Sequence, residues 1–334
     1  MKRIGKFTVE FENKPAIISS GCIVGKKESE GPLKNDFDEF KTDSLFGQDT
    51  FEQAESFLQK RAFEIALNKA GLQNENIDLI FAGDLLNQCI GSSFGLKENN
   101  IPFVGLYGAC STMALSLIMA SISVSSGFAK TAAAVTSSHF CSAERQYRFP
   151  LEYGGQRTPN SQWTVTGSGA AIIGTAQNRP FINRVCIGKI IDLDIKDANN
   201  MGAAMAPAAY DTIKNFLKDT ETSPGDYDAI FTGDLGLVGS RLLHELLLRD
   251  GIDIVPFHND CGLMIFDRKG QDVHAGGSGC GCCASVLCGH ILKRVKKREL
   301  KRILVCATGA LLSPTSSLQG QAIPAIAHIV EICI

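Results

Sequence analysis

The chain has 334 residues, 44% of them hydrophobic and 20% charged, which is apolar enough to offset the entropy of ordering a backbone and excludes an intrinsically disordered protein. Lys and Arg total 33 against 35 Asp and Glu, so no net field of either sign draws the chain onto nucleic acid. Twelve cysteines are fewer than the roughly 8–10% of a disulfide scaffold, and no apolar signal segment separates Met1 from Glu10, a combination that points to a reducing cytoplasm.

From the N-terminus, the first amphipathic stretch opens at Thr50, whose hydroxyl can cap backbone N–H groups while Gln53 reaches back. Phe57, Leu58, Ala62, Ile65 and Ala66 share its inward face, and Gly71 ends it. The apolar run 77–85 then reads as a buried strand feeding a loop at Gly83-Asp84. A second copy of that run, 227–235, lies 150 residues later and ends in Gly233-Asp234. The helix before it is expected at 208–218, with Thr222-Ser223-Pro224-Gly225 as the breaking loop. After the first copy come 104–110 and a helix of small apolar residues, 112–125, stopped by Gly127. This helix holds the most apolar run of the chain, 114–124, which is shorter than the roughly 20 residues of a membrane span. After the second copy come 276–283 and a helix at 284–297 whose basic end suits the negative pole of its dipole. Each half closes with a strand, 131–137 and 302–308. The β-helix-β order, twice over, with strands apolar on both faces, implies two similar α/β halves packed as layers. Their expected spans are 1–178 and 179–334, with a seam near Pro180 and an insertion at 140–163 in the first.

Cys110 is the residue with most chemical meaning. It stands in Gly108-Ala109-Cys110-Ser111-Thr112 at a strand-to-helix turn, where a helix N-terminus lowers a thiol pKa and can hold an oxyanion. A small buried helix residue would look the same from spacing alone.

These residues resemble the thiolase-like enzymes, especially the ketoacyl-synthase III branch, over nearly the whole chain. Ala109-Cys110-Ser111 is similar to their nucleophile motif, 135–138 to the strand that follows it, and Thr166-Gly167-Ser168-Gly169-Ala170-Ala171 to their Gly-Asp-Gly-Ala-Gly-Ala segment. The resemblance implies two pseudo-equivalent βαβαβ halves in an αβαβα layered fold, and a homodimer. It also implies a His and an Asn on loops of the second half, to move protons and to bind the thioester oxygen. At the His position this chain has Gly233, within Thr232-Gly233-Asp234-Leu235-Gly236, and at the Asn position Cys280, within Gly279-Cys280-Gly281-Cys282-Cys283. His258 and His274 are the nearest replacements in sequence.

Within that family the chain is most similar to thiolase-like proteins of spore-forming bacteria associated with uptake of dipicolinic acid into the developing spore. This resemblance implies a pocket retained for binding after loss of the catalytic partners. The ligand would be dipicolinic acid or its calcium chelate, and the partners membrane proteins of one sporulation complex. The protein would be cytoplasmic and peripheral to the forespore or spore inner membrane. A flat aromatic dianion needs donors at both ends and an apolar slot between them. The candidate ligand residues are Cys110 and Ser111 at the turn, Thr136, Ser137 and His139 at the following strand end, and Gly277 and Ser278 in a loop able to form an anion nest. Arg145 completes the set, from an insertion that also carries Tyr147, Arg148, Phe149, Tyr153, Arg157 and Trp163. That basic and aromatic mix could clamp a ring and its carboxylates, but the composition suits a dimer interface better.

The group Cys280, Cys282, Cys283, Cys288 and His290 lacks the two-residue gap of a zinc knuckle and reads as small residues opening a buried helix. No Lys-Ser or Lys-Thr follows Gly167, Gly169 or 276–281, so neither a nucleotide nor another cofactor is expected. The basic run 293–302 reads as a solvated helix end or a membrane-facing surface. Two other functions stay open: a Cys110-dependent acyltransferase or ketoacyl synthase with an unusual base, and a purely structural adaptor.

Overall fold

The computed structural model describes residues 1–147 and 157–334. Ten strands carry the sheet: β1 (Ala16–Val24), β2 (Leu79–Gly83), β3 (Phe103–Gly105), β4 (Ala132–Ser138), β5 (Gly167–Gly174), β6 (Phe181–Ile187), β7 (Ala229–Thr232), β8 (His258–Asp260), β9 (Arg302–Ala310) and β10 (Ala325–Cys333). Their order is β8-β7-β9-β10-β6-β1-β5-β4-β2-β3, with short strands at 2–4, 8–10 and 39–40 added at the sides. The order reads as one five-strand pattern used twice, outward from the centre. In each half the outer three strands are parallel and the next two pairings antiparallel. The halves meet at one register pair, Phe181 with Ala16, flanked by Ile17 N–H on Pro180 O and Ile182 N–H on Pro15 O.

Helices α1 (Phe51–Ala70), α2 (Thr112–Ser125), α3 (Phe140–Tyr147), α4 (Met201–Thr220), α5 (Gly236–Arg249), α6 (Cys280–Val286) and α7 (Leu292–Lys296) complete the fold. Helix α1 covers the outer face of β1, β5 and β4, while α4 covers the outer face of β9 and β10. Between the two half-sheets lie α2 and α6, and α2 touches strands of both. This is the αβαβα layering. Helix α6 is buried throughout and α2 on all but the stripe of Leu115, Met119, Ile122 and Ser125; Met113, Leu117, Ile118, Cys282 and Cys283 are fully buried, as is Leu287 just after α6. Burial of each large side chain there stabilises the fold by about 1.5–3 kcal/mol.

Local chemistry explains the element ends. Thr50 accepts from Gln53 N–H, Gln53 Oε1 accepts from Asp49 N–H, and Gly71 closes α1 at φ 68°. The repeat is kept in detail. Asp78 Oδ2 accepts from the backbone N–H groups of Lys130 and Thr131, and Asp228 Oδ2 from those of Lys301 and Arg302. Each aspartate thereby ties the start of one central strand to the next.

Two elements differ from expectation. Helix α4 begins at Met201 rather than 208, because Asn200 caps it and Pro207 is accommodated in its second turn. The helix expected at 284–297 starts at Cys280 and is split by a π-helical turn at Leu287–Ile291. Gly289 lets that turn press on β1, since a Cβ there would lie 2.9 Å from Cys22 Sγ.

Candidate functional site

After β3 the chain turns at Ala109, which holds φ 48°, a left-handed conformation that L side chains avoid unless the surroundings enforce it. Cys110 follows in a single 3-10 turn, and α2 starts at Thr112. Nearby hydroxyls brace the turn. Ser111 Oγ donates to Gly108 O and Thr112 Oγ1 to Ala109 O, both at 2.6 Å. Strand β9 closes in from the second half: a Cβ on Gly309 would stand 2.2 Å from Gly108 O. Cys110 therefore sits where the two halves meet, only 4% exposed, in a pocket that also involves Leu85, Tyr107, Glu144, Tyr147 and Ser278. The cavity is about 30 Å³, room for roughly two waters. Tyr107 and Tyr147 meet across it with their hydroxyls 3.1 Å apart.

The charged neighbour of the thiol is a carboxyl group, that of Asp234, which is fully buried in the loop after β7. Asp234 Oδ2 accepts from Gly279 N–H at 2.9 Å and from Ser278 Oγ at 3.3 Å, while Oδ1 accepts from Thr308 Oγ1 at 3.1 Å. Burial pushes the Asp234 pKa up to about 7. Burial, then the Asp234 charge, pushes the Cys110 thiol well above the ordinary thiol range. A thiolate nucleophile needs the opposite environment, a cation or an imidazole.

The structure separates the sequence candidates. Cys110 and Ser278 line the pocket. Ser111 is spent on its own turn. Thr136 and Ser137 are completely buried and do not line the pocket, Ser137 Oγ donating to Glu55 Oε1 at 3.1 Å. His139 Nε2 bonds to Ser44 O at 2.8 Å, its Nδ1 accepts from Cys141 N–H, and burial lowers its pKa. Its ring is thus a neutral brace rather than a donor to a ligand. Gly277 O takes the side-chain amide of Gln162. In the same loop the Ser278 hydroxyl and the Gly279 N–H are taken by the Asp234 carboxyl. Arg145 pairs with Glu52 outside the residues lining the pocket, and Arg157 pairs with Asp272 at 2.6 Å and stacks over Trp163. Arg148, Phe149 and Tyr153 lie outside the described residues.

Neither replacement histidine reaches the thiol. His258 bonds to His244 and Thr232, and His274 bonds to Thr158 O and pairs with Asp272. Cys280, at the expected Asn position, donates its thiol to Ser137 O at 2.9 Å. Among the described residues, no group of three or more His, Cys, Asp or Glu side chains is placed to hold a metal ion.

Asp234, Glu144 and the Tyr107–Tyr147 pair were not assigned to the site from sequence. The signal for Asp234 was present, since Gly-Asp ends both copies of the repeat, and Asp84 and Asp234 are both completely buried.

The chain matches the family described as Stage V sporulation protein AD (SpoVAD) over residues 5–333. It belongs to the SpoVAD family. Stage V sporulation protein AD of Bacillus subtilis (strain 168) is 46% identical over 328 residues, 98% of this chain and 97% of that protein. Among solved structures, OleA from Xanthomonas campestris aligns at TM-score 0.64 and 14% identity over 98% of both chains. 3-Oxoacyl-[acyl-carrier-protein] synthase III from Aquifex aeolicus aligns at TM-score 0.57 and 12% identity over 96% of this chain and all of that one. At such identities these likenesses show the fold: this SpoVAD-family chain has the thiolase-like, ketoacyl-synthase III architecture.

The buried acids give this SpoVAD-family protein a defined pH response. Burial raises Asp234 and Glu28 to about 7 and Asp260 to about 6. As pH climbs past about 4, the unfolded chain releases protons that these groups keep when folded, so stability falls until pH passes each folded value. His258 and His328, lowered by burial to about 3 and about 4, act in the opposite sense, but only up to the unfolded imidazole value of about 6.5. Between pH 6.5 and 8 the carboxyl groups, with Glu55 raised by burial to about 8, and the buried thiols, raised by burial, act in the same direction and outweigh the last of the imidazole titration, so stability should drop by at least about 1–2 kcal/mol. Urea unfolding at the two pH values checks this, and Glu28→Gln should flatten the slope. Equal or greater stability at pH 8 contradicts it.

Proposed function

We propose that this protein binds dipicolinic acid in the Cys110 pocket and assists its uptake into the forespore with a membrane channel complex. It acts as a binder rather than an acyltransferase. The carrying observation is that the pocket around the buried Cys110 is lined, among the described residues, by no His, while the buried Asp234 carboxyl is held by Ser278 and Gly279 of the adjoining loop; burial and that charge keep the thiol at the nucleophile position in its neutral state. Glu144 is among the pocket residues, and no Lys or Arg is, among those described. That charge balance favours the calcium chelate over the free dianion, because the chelated metal brings positive charge toward the carboxylates. Since the cavity holds about 30 Å³, admission of a planar ring requires the Tyr107–Tyr147 contact to open. Among the described residues no helix is long and apolar enough to cross a membrane, which fits a peripheral role in such a complex. Homodimerisation is supported by edge strand β3, whose Phe103 and Val104 are 39% and 37% exposed. Unpaired apolar edges of this kind are normally covered.

The test is calorimetric titration with dipicolinic acid, its calcium chelate and pyridine-2-carboxylate. Saturable binding of the chelate that falls about tenfold or more for the one-carboxylate compound supports the proposal. Absence of heat with the chelate at millimolar concentration overturns it.

A further inference from the structure

Away from Cys110, the seam between the halves contains a second concavity of about 320 Å³, at the lower end of the roughly 300–1,000 Å³ usual for small-molecule sites. Its walls include Ile17 and Ile18 of β1 and Leu292 of α7, and its cations are Lys69, Arg179, Lys293 and Lys296. Asp38 is the single carboxylate among the described lining residues. Lys69 Nζ lies 2.7 Å from Asp38 Oδ2 and 2.9 Å from Ser20 O. Lys293 Nζ lies 3.5 Å from Asp38 Oδ1 and donates to Asp36 O. Asp38, only 12% exposed, thus fixes two ammonium groups while neutralising one charge. Arg179 and Lys296 are in no ion pair among the described residues. Four cations less one carboxylate leave three positive charges around an apolar-walled groove.

We propose that this groove is a second ligand site, which takes a small organic dianion of the dicarboxylate or phosphate-monoester class. The chemistry is complementary at each part. An Arg fork grips a planar carboxylate or a phosphate with two parallel hydrogen bonds, the positioned ammonium groups meet the second anionic end, and the Ile17, Ile18 and Leu292 side chains accept the apolar body between them. The concave shape favours a soluble molecule over a flat lipid surface. The groove also explains part of the basic run seen in the sequence: Lys293 and Lys296 face a built cavity rather than open solvent alone. Because the walls come from β1 in one half and from the β5–β6 connection and α7 in the other, an occupied groove ties the halves together across the seam.

The test is calorimetric titration of the full chain with isophthalate and with phenyl phosphate, benzoate being the one-charge control. The wild type should bind either dianion at one groove site per chain, with benzoate about tenfold or more weaker, and affinity should decline as salt is raised. The double change Arg179→Glu/Lys296→Glu lies at exposed positions, so its thermal midpoint should match the wild type while dianion affinity falls about thirtyfold or more. Undiminished affinity in that variant overturns the proposal. Sedimentation with phosphatidylcholine vesicles, with and without phosphatidylglycerol, separates the sources. Charge-dependent capture by the anionic vesicles, in a protein that binds neither soluble dianion, also overturns it.

Discussion

Asp234→Ala should destabilise the fold by about 3–5 kcal/mol, because it removes the acceptor of several buried hydrogen bonds at once. The carboxyl accepts from Gly279 N–H, Ser278 Oγ and Thr308 Oγ1. None of these donors reaches solvent from its present position, and each orphaned one costs about 1–3 kcal/mol. The hydroxyls can rotate to other acceptors, but the Gly279 N–H is fixed, because Gly279 holds φ 96° at the start of α6. Relief of the burial cost of the carboxyl offsets part of the loss, so the sum is less than three full penalties. Asp234→Asn retains an acceptor and should cost about 1–2 kcal/mol. Urea unfolding at pH 6.5 measures both. An alanine variant within about 1 kcal/mol of the wild type would show that the aspartate does not organise the junction.

Cys110 should be alkylated by iodoacetamide at pH 7.5 at least about a hundredfold more slowly than a free thiol. The thiolate is the reactive species, and here burial and the neighbouring carboxylate both disfavour it. Removing the negative charge should therefore raise the rate in Asp234→Asn even though the pocket keeps its shape. Peptide mapping after timed labelling separates Cys110 from the partly exposed Cys89, Cys141 and Cys333. Rapid labelling of Cys110 would identify a thiolate and restore the catalytic reading.

Much of this architecture was legible because its signals are local and repeated. Helix α1 followed from the cap at Thr50 and the stop at Gly71, and α2 from an apolar run interspersed with serines and ending before Gly127. The 150-residue repeat exposed the duplicated strands, as α1 and α4 begin at 51 and 201. The start of α4 was hidden because Pro207 imitates a breaker, and its cap at Asn200 depends on packing. The site was less legible than the fold. Cys110 announced itself through its turn, but the partners of a buried group are chosen in three dimensions. Seven small polar or charged residues were assigned to a ligand beside it, and most are consumed by the protein: Ser111 by its own turn, Ser137 by Glu55, His139 by Ser44, Arg145 by Glu52. The Gly-Asp ending of the repeat marked Asp234 as special, yet its loop gave no sign that the side chain turns inward to the thiol and to Gly279 of a segment 45 residues away.

The most direct measurement of the central claim is the intact mass of the protein after incubation with acyl-CoA at neutral pH, followed over time. A binding pocket with a neutral thiol and, among its described lining residues, no imidazole and no amide predicts unchanged mass and no release of free CoA. A stable acyl adduct mapped to Cys110, or steady release of CoA that Cys110→Ala abolishes, would contradict the account and make the protein an acyltransferase.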